Sequence, residues 1–153
     1  MIDQPSVEAL LIDPNPEDVQ RFLTAFENET LANNVTTVSN GTEALEFLNQ
    51  RGEYADRARP NLVLLDIDQP EMDWRAFLET LDRDSELAGI PVIVLTESDD
   101  SDVIVQAYER HANGYVKKSA DSDEFSAVVR SIEEFWFTVV WLPPRNEAED
   151  EYR

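Results

Sequence analysis

A chain of 153 residues, 42% of them apolar, is long enough to bury one good core and too short for two domains of ordinary size. It has no cysteine and a single histidine, which excludes disulfides, thiolate metal sites and a zinc site built from histidines. The 33 acidic residues outnumber the 12 basic ones and give a net charge of −21, which repels phosphate backbones and argues against binding to nucleic acid.

The acidic excess accompanies a shortage of lysine. The only lysines are Lys117 and Lys118, and all the other basic residues are arginines. Many carboxylates with few lysines keep a protein hydrated in concentrated salt, where self-repulsion is screened. We therefore interpret the composition as that of a halophilic archaeal protein, with a positively charged partner as the alternative explanation.

The chain carries no sequence signal for export or for membrane insertion. The N-terminus MIDQPSVE lacks a basic apolar signal, and no apolar run approaches the roughly 20 residues that a membrane span needs. These features predict a soluble, cytoplasmic protein with no membrane partner.

Five short apolar runs are predicted to be strands, in chain order at 7–12, 35–39, 61–65, 90–96 and 114–118. Most are apolar on both faces, as the buried strands of parallel sheets are. This pattern predicts a sheet covered on both sides.

Helical patterns alternate with these runs. The first follows Pro16, which suits a first helical position, and the second begins near Ala44. Two more occupy 74–81 and 101–110, and the last runs from about 121 to 141, where two prolines stop it. Five strands alternating with five helices predict an α/β three-layer sandwich around an open parallel sheet.

We expect residues 1–142 to form one domain. The closing segment, 143–153, ends in the charged run RNEAEDEYR and is predicted to be a disordered acidic tail. No further domain is expected after this tail, so we expect the protein to act through contact with another protein.

Polar residues close four of the predicted strands. Ligands bind beyond the carboxyl ends of the strands in such sheets, and those ends carry Asp13, Asp66, Thr96 and Lys118. Paired carboxylates hold Mg²⁺, one carboxylate can attack phosphorus, and a hydroxyl and a cation can stabilise phosphoryl oxygens. The four residues therefore predict a phosphoryl site at one edge of the sheet.

The two lysines are expected to have different roles. Alternation along a strand sends Lys117 and Lys118 to opposite faces, so only one of them can serve this site. A lysine there is a compact charge on a flexible stem, suited to reaching a carboxylate or a phosphate. The alternative is that both are solvated residues at a strand end.

Ordinary structural roles remain open for the other candidates. Asp66 could be a solvated loop acid, Asp13 could cap the first helix, and Thr96 could be a simple strand residue. Tyr115 could be a half-buried structural aromatic, and His111 is expected to be a helix-end residue that complements the helix dipole.

Four motifs carry a resemblance to a known family. In order along residues 7–142 they are LLIDPNPEDV, LVLLDIDQPEMDW, VIVLTES and GYVKKS. Together they resemble the receiver domain of two-component response regulators. The closing FWFTVVWLPP also resembles the stand-alone regulators associated with phytochrome-type kinases. The resemblance implies a flavodoxin-like fold, with strand order 2-1-3-4-5.

The resemblance also implies roles for individual residues. It makes Asp66 the phosphoacceptor for a sensor histidine kinase and Asp13 an acid of the Mg²⁺ pocket. It makes Thr96 the switch hydroxyl, Lys118 the phosphate-contacting lysine, and Tyr115 the aromatic that rotates on phosphorylation.

Three positions depart from the family pattern. Pro14 stands where a second acid usually follows the first, so a direct metal ligand is missing. Asp68 replaces a common asparagine, and its carboxylate is expected to compensate in part as a ligand beside Asp13 and Asp66. Ser119 replaces the proline that usually follows the lysine, so the family's cis peptide bond is expected to be absent.

Two other functions are compatible with part of this pattern. A degenerate pseudo-receiver, binding partners without phosphorylation, is favoured by Pro14. A haloacid-dehalogenase-type phosphatase also uses DxD, threonine and lysine, but its acceptor lies on the first strand, whereas two predicted strands precede Asp66 here.

The last predicted helix has two aromatic residues off its core stripe. Phe137 and Trp141 would expose large apolar surface on a monomer, which predicts a homodimer through this helix. The alternative is that both side chains fold back onto the domain.

Overall fold

The computed structural model of the chain describes residues 8–27, 34–69, 72–110, 112–118 and 127. Strands and helices alternate through these residues: β1 Glu8–Ile12, α1 Pro16–Glu27, β2 Asn34–Val38, α2 Gly41–Leu48, β3 Leu62–Asp66, α3 Trp74–Arg83, β4 Val92–Thr96, α4 Ser101–Glu109 and β5 Gly114–Lys117. A 3-10 turn, Gly52–Tyr54, lies between α2 and β3. The predicted fifth helix, the tail, His111 and Ser119 lie outside the described residues, apart from residue 127.

The five strands form one parallel sheet in the order β2-β1-β3-β4-β5, which confirms the predicted topology. The register pairs Ile12 with Leu65, and Asp66 with Leu95. Because β1, β3 and β4 are neighbours, the residues that end these strands meet at one edge of the sheet.

The core lies on both faces of the three central strands. All five positions of β3 and of β4 are buried, because helices cover the sheet on both sides, so neither strand alternates between apolar and polar residues. The fully buried side chains with the largest volume are mostly leucines: Leu10, Leu11, Ile12, Leu48, Leu62, Leu64, Leu65, Leu78, Leu81 and Leu87.

Side-chain caps fix the starts of all four described helices. Asn15, Asn40, Asp73 and Asp100 each accept a hydrogen bond from a backbone N–H in the first turn that follows. Helix α2 therefore begins at Gly41, ahead of the apolar stripe that predicted it near Ala44. The strand bounds differ from the predicted ones by no more than two residues at either end.

The helices differ in how much apolar surface they bury. Helix α3 buries four side chains, whereas α4 buries only Ala107 and leaves Val105 and Tyr108 about half exposed, at 52% and 51%. Among the described helices, none combines the length and the apolar character that a membrane span requires.

Candidate functional site

The four strand-end residues meet at the carboxyl edge of the sheet and are buried there. The exposed fractions are 2% for Asp13, 3% for Asp66, 0% for Thr96 and 6% for Lys118. Polar side chains at such burial need partners, because an unpaired buried charge is costly. The partners found at this edge are largely one another.

Lys118 joins three carboxylates. Its Nζ atom lies 2.7 Å from Asp18 Oδ2, 3.2 Å from Asp66 Oδ2 and 3.6 Å from Asp13 Oδ2. Although β5 ends at Lys117, the backbone N–H of Lys118 continues the pairing by donating to the Thr96 carbonyl at 2.6 Å. The side chain is thereby fixed at the end of β4 and directed at the acids of β1 and β3.

Lys117 points elsewhere. It is exposed, and its Nζ lies 3.4 Å from the exposed carboxylate of Asp99. Adjacent residues of a strand face opposite sides, which accounts for the difference. Only Lys118 of the two lysines contacts the acids of the site.

The charge of Lys118 is stabilised by its neighbours. Burial alone would lower its pKa, but the hydrogen bond to Asp18 and the charges of Asp66 and Asp13 raise that pKa above its ordinary value. The lysine is therefore a permanent cation at physiological pH.

Asp13 is held by one oxygen only. Its Oδ1 accepts the Asn15 N–H at 2.9 Å, while its buried Oδ2 accepts no hydrogen bond from any described residue. Burial raises the pKa of Asp13 to about 7, and the charge of Asp66 adds to this effect, while Asn15 and Lys118 oppose it. The carboxyl group therefore titrates near neutral pH.

Asp66 is oriented from both sides. Its Oδ1 accepts the backbone N–H of Asp68 at 2.9 Å, and its Oδ2 faces Lys118. The Gln69 side chain donates to the Asp66 carbonyl at 2.6 Å and so anchors the loop after β3. These contacts hold the carboxylate in one orientation at the strand end.

Asp68 reaches towards β4. Its Oδ1 accepts the Thr96 hydroxyl at 2.5 Å, and its Oδ2 accepts the Glu97 backbone N–H at 2.8 Å. Both of its oxygens are thus engaged. Within the part of the chain that the structure describes, no group of three or more acidic or histidine side chains is arranged to hold a metal. The role of Asp68 as a third ligand stays a prediction.

Tyr115 connects the loop after β4 to β5. The ring is half-buried, and its hydroxyl donates to the Ser98 carbonyl, while the Ser98 N–H donates to Thr96 Oγ1 at 3.1 Å. Burial raises the pKa of the Tyr115 phenol, with a further contribution from Asp99 and Asp68. The phenol is therefore protonated and acts as a donor.

Asp18 is the site residue that the sequence prediction missed. It lies in the first turn of α1 and makes the shortest contact of Lys118 with a carboxylate. A signal was present, because a helix that begins at Pro16, soon after β1 ends, directs its first turn over the strand edge. First-turn acids also complement the helix dipole, so the residue type alone did not mark it.

A divalent cation fits the described donors as a two-carboxylate site. Asp13 and Asp66 both approach Lys118 Nζ through their Oδ2 atoms, so the two carboxylates are close, and Asp13 Oδ2 has no hydrogen-bond donor among the described residues. Carboxylate oxygens with several waters are the coordination that Mg²⁺ prefers. Pro14, next to Asp13, offers no side-chain oxygen.

Comparison with known proteins agrees with these features. A family model described as "Response regulator receiver domain" matches residues 9–130. Response regulator Rcp1 of Synechocystis sp. is 35% identical over 134 residues, which are 88% of this chain and 91% of Rcp1. The probable methanogenesis regulatory protein FilR2 of Methanothrix harundinacea is 32% identical over 83% of this chain and 81% of its own length.

Solved structures give the same relationship. The phosphorylated cyanobacterial phytochrome response regulator RcpA superposes with a TM-score of 0.86 at 38% identity, covering 92% of this chain and all of RcpA. The Mn²⁺-bound form of Rcp1 superposes with a TM-score of 0.84 at 34% identity, covering 90% of this chain and 99% of that one. On motif order, strand order and these comparisons, the chain belongs to the receiver-domain family of two-component response regulators.

Proposed function

We propose that this response regulator accepts a phosphoryl group on Asp66 from a phosphohistidine of a sensor kinase, and that it signals through contact with another protein. The observation that carries the proposal is the orientation of Asp66, a buried carboxylate held by the Asp68 N–H and by Lys118. These two contacts hold the Asp66 carboxylate in one defined orientation at the carboxyl edge of the sheet.

The transfer is a displacement at phosphorus. A carboxylate oxygen of Asp66 forms the new P–O bond as the P–N bond to the histidine breaks, and the imidazole nitrogen takes the electron pair and a proton. The product is an acyl phosphate on Asp66. Lys118 stabilises the negative charge of the phosphoryl oxygens, and the Thr96 hydroxyl is the second donor at this edge.

We assign the metal-binding role to Asp13 and Asp66. A bound Mg²⁺ would neutralise charge on the incoming phosphoryl group, and the Mn²⁺-bound form of Rcp1 supports a divalent cation in this family. Lacking the acid at position 14, this chain is expected to bind the metal weakly.

Phosphorylation adds negative charge beside Thr96 and Lys118. Tyr115 is the residue through which this change alters the surface that a partner contacts. The link is the loop after β4, in which Ser98 contacts both Thr96 and the Tyr115 hydroxyl. A change at Thr96 can therefore alter the surface around Tyr115.

We propose the partners from the related proteins and from the sequence. The kinase is of the phytochrome type, because RcpA, which superposes on 92% of this chain, is a phytochrome response regulator. The downstream protein is unidentified, and a homodimer through the last helix is proposed from Phe137 and Trp141, which lie outside the described residues. The acidic, lysine-poor composition supports a halophilic cytoplasm.

A pseudo-receiver is the second candidate. Pro14 favours it, because the loop that should supply two acids supplies only Asp13, whose carboxyl group titrates near neutrality. In that protein Lys118 would serve only to neutralise buried carboxylates, and partner binding would not depend on phosphate.

The test is stoichiometric labelling. The parent and Asp66→Asn are incubated with Mg²⁺ and a small phosphodonor, and the phosphoprotein is measured by intact mass. Asp56→Asn is the matched control, because Asp56 is an exposed acid in the connection that follows the 3-10 turn. We expect labelling of the parent and the control but not of Asp66→Asn. Labelling of Asp66→Asn would reassign the acceptor, labelling of none would favour the pseudo-receiver, and steady turnover would indicate a phosphatase.

A further inference from the structure

We propose that the Asp68 carboxylate is an internal substitute for the phosphoryl group. In the unphosphorylated protein it binds the Thr96 hydroxyl, which the proposed function assigns to the phosphoryl oxygens together with Lys118, and it also binds the adjacent Glu97 N–H. This inference rests on the proposed function, and it makes Asp68 a competitor that phosphorylation has to displace.

The two donors form a site for an anion. The Thr96 hydroxyl and the Glu97 N–H bind different oxygens of the same carboxylate, at 2.5 Å and 2.8 Å. Hydrogen bonds to an ionised acceptor are stronger than neutral ones, and a two-point contact also fixes orientation. An uncharged side chain at position 68 would not satisfy this pair in the same way.

The same donors lie within reach of a group attached to Asp66. Asp66 pairs with Leu95, the residue before Thr96, and the Ile67 N–H donates to the Leu95 carbonyl at 3.0 Å. The Asp68 N–H in turn binds Asp66 Oδ1. A phosphoryl group on Asp66 therefore extends into the space between the ends of β3 and β4, which the Asp68 side chain crosses.

Because both groups are negatively charged, the Asp68 carboxylate and a phosphoryl group on Asp66 cannot bind these two donors at the same time. A phosphoryl group carries between one and two negative charges at neutral pH, and it repels a carboxylate that shares its donors. Asp68 is exposed, so its side chain can turn to solvent when displaced. Thr96 is fully buried and cannot leave in the same way.

In the unphosphorylated protein the loop after β4 is therefore already held by an anion, the Asp68 carboxylate. Thr96 Oγ1 donates to Asp68 and accepts from the Ser98 N–H, and Ser98 accepts from the Tyr115 hydroxyl. Phosphorylation replaces one anion by another at the start of this chain of hydrogen bonds. Asp68 thus slows the acquisition of phosphate and reduces the difference between the resting and phosphorylated loops.

The experiment compares Asp68→Asn with Asp99→Asn, which removes the same charge from the same rim. Asp99 contacts Lys117, whereas the Thr96 hydroxyl and the Glu97 N–H bind Asp68, so Asp99→Asn controls for the general effect of charge. Hydrogen exchange and chemical shift of the Glu97 amide are measured without phosphodonor, and the rate of phosphorylation is measured with acetyl phosphate and Mg²⁺.

In Asp68→Asn we expect faster exchange at Glu97 in the resting protein, reversed on phosphorylation, and phosphorylation about tenfold faster than the parent. Asp99→Asn should leave the Glu97 amide unchanged and alter the rate by less than about twofold. An unchanged Glu97 amide in Asp68→Asn, or equal rates in the two variants, overturns the inference. If no protein is labelled, the proposed function fails instead, and the Glu97 amide alone decides whether Asp68 holds the loop.

Discussion

At the scale of single residues, the site is built around charges that would be unfavourable alone. Asp13, Asp66 and Lys118 are all nearly excluded from solvent, and the two carboxylates are tolerable only because each faces Lys118. Asp13 is the least well satisfied, since its Oδ2 accepts no hydrogen bond from the described residues. Such an acid stabilises the folded protein little.

We predict that Asp13→Asn stabilises the metal-free protein, and more so at high pH. The pKa of Asp13 is about 7 in the folded protein and about 3.8 as an ordinary aspartate, so between these values only the folded state holds the proton. The free energy of unfolding therefore falls as pH rises through this window. Asparagine removes that loss, and we expect a gain on the order of 1–2 kcal/mol at pH 8, reduced by the lost attraction to Lys118.

The measurement is thermal unfolding at fixed salt with a chelator, at intervals from pH 4 to pH 8. Asp56→Asn is the control for removing one negative charge from an exposed position. A difference from the parent that stays constant across this range would contradict the raised pKa of Asp13.

The sequence predicted which residues meet at this edge but not all of their contacts. Strand ends and alternation along β5 were enough to separate Lys118 from Lys117. They gave no information on the direction of Asp68, which follows the strand in a loop, where the side-chain direction depends on the donors available at the neighbouring strand. Asp18 was missed because its role depends on where α1 begins relative to β1.

At the scale of elements, the connection from β1 to α1 determines how Asp13 is placed in the proposed metal pocket. Asp13 Oδ1 accepts the Asn15 N–H, and Asn15 Oδ1 accepts the Glu17 N–H, so two short polar side chains turn the chain into the helix. Pro14 stands between them, exposed and with its backbone angle restricted. The turn is therefore rigid and holds one acid where the family usually holds two.

We predict that Pro14→Asp strengthens Mg²⁺ binding and speeds phosphorylation. A second carboxylate adds an oxygen ligand and helps neutralise the metal that faces the incoming phosphoryl group. We expect a rise in affinity of about tenfold, the effect of one charge-assisted contact. Mg²⁺ titration and phosphorylation rate at fixed salt are the measurements.

Pro14→Ala separates the ligand from the proline ring, because it removes the ring without adding an acid. Equal gains in the alanine and aspartate variants would attribute the effect to the rigidity of the turn. No gain in either variant, with tight Mg²⁺ binding by the parent, would show that another group already completes the pocket.

The elements themselves were largely predictable, for identifiable reasons. Strands buried on both faces appear as continuous apolar runs, and β3 and β4 are the clearest examples. The start of α2 was the exception, since it depends on the Asn40 cap and not on apolar spacing.

At the scale of the whole molecule, the dominant property is the net charge of −21. The ion pairs that the described residues form are mostly at the surface, such as Arg83 with Glu79 at 3.4 Å, and exposed pairs contribute little to stability. Such pairs cannot offset the repulsion that a net charge of −21 produces. We therefore expect the chain to depend on its solvent to screen that repulsion.

We predict that folding stability rises steeply with salt. The distance over which charges interact falls from about 10 Å in 0.1 M salt to about 3 Å in 1 M salt, so repulsion in the compact state is removed over this range. We expect the unfolding midpoint to rise on the order of 10 °C between 0.1 and 2 M KCl, corresponding to roughly 3 kcal/mol for a chain of this size. Sucrose is the control, since it favours the compact state by exclusion from the surface without screening charge. If sucrose and KCl raise the midpoint equally, general exclusion accounts for the effect, and a midpoint that does not change with KCl would contradict the interpretation of the acidic composition as an adaptation to salt.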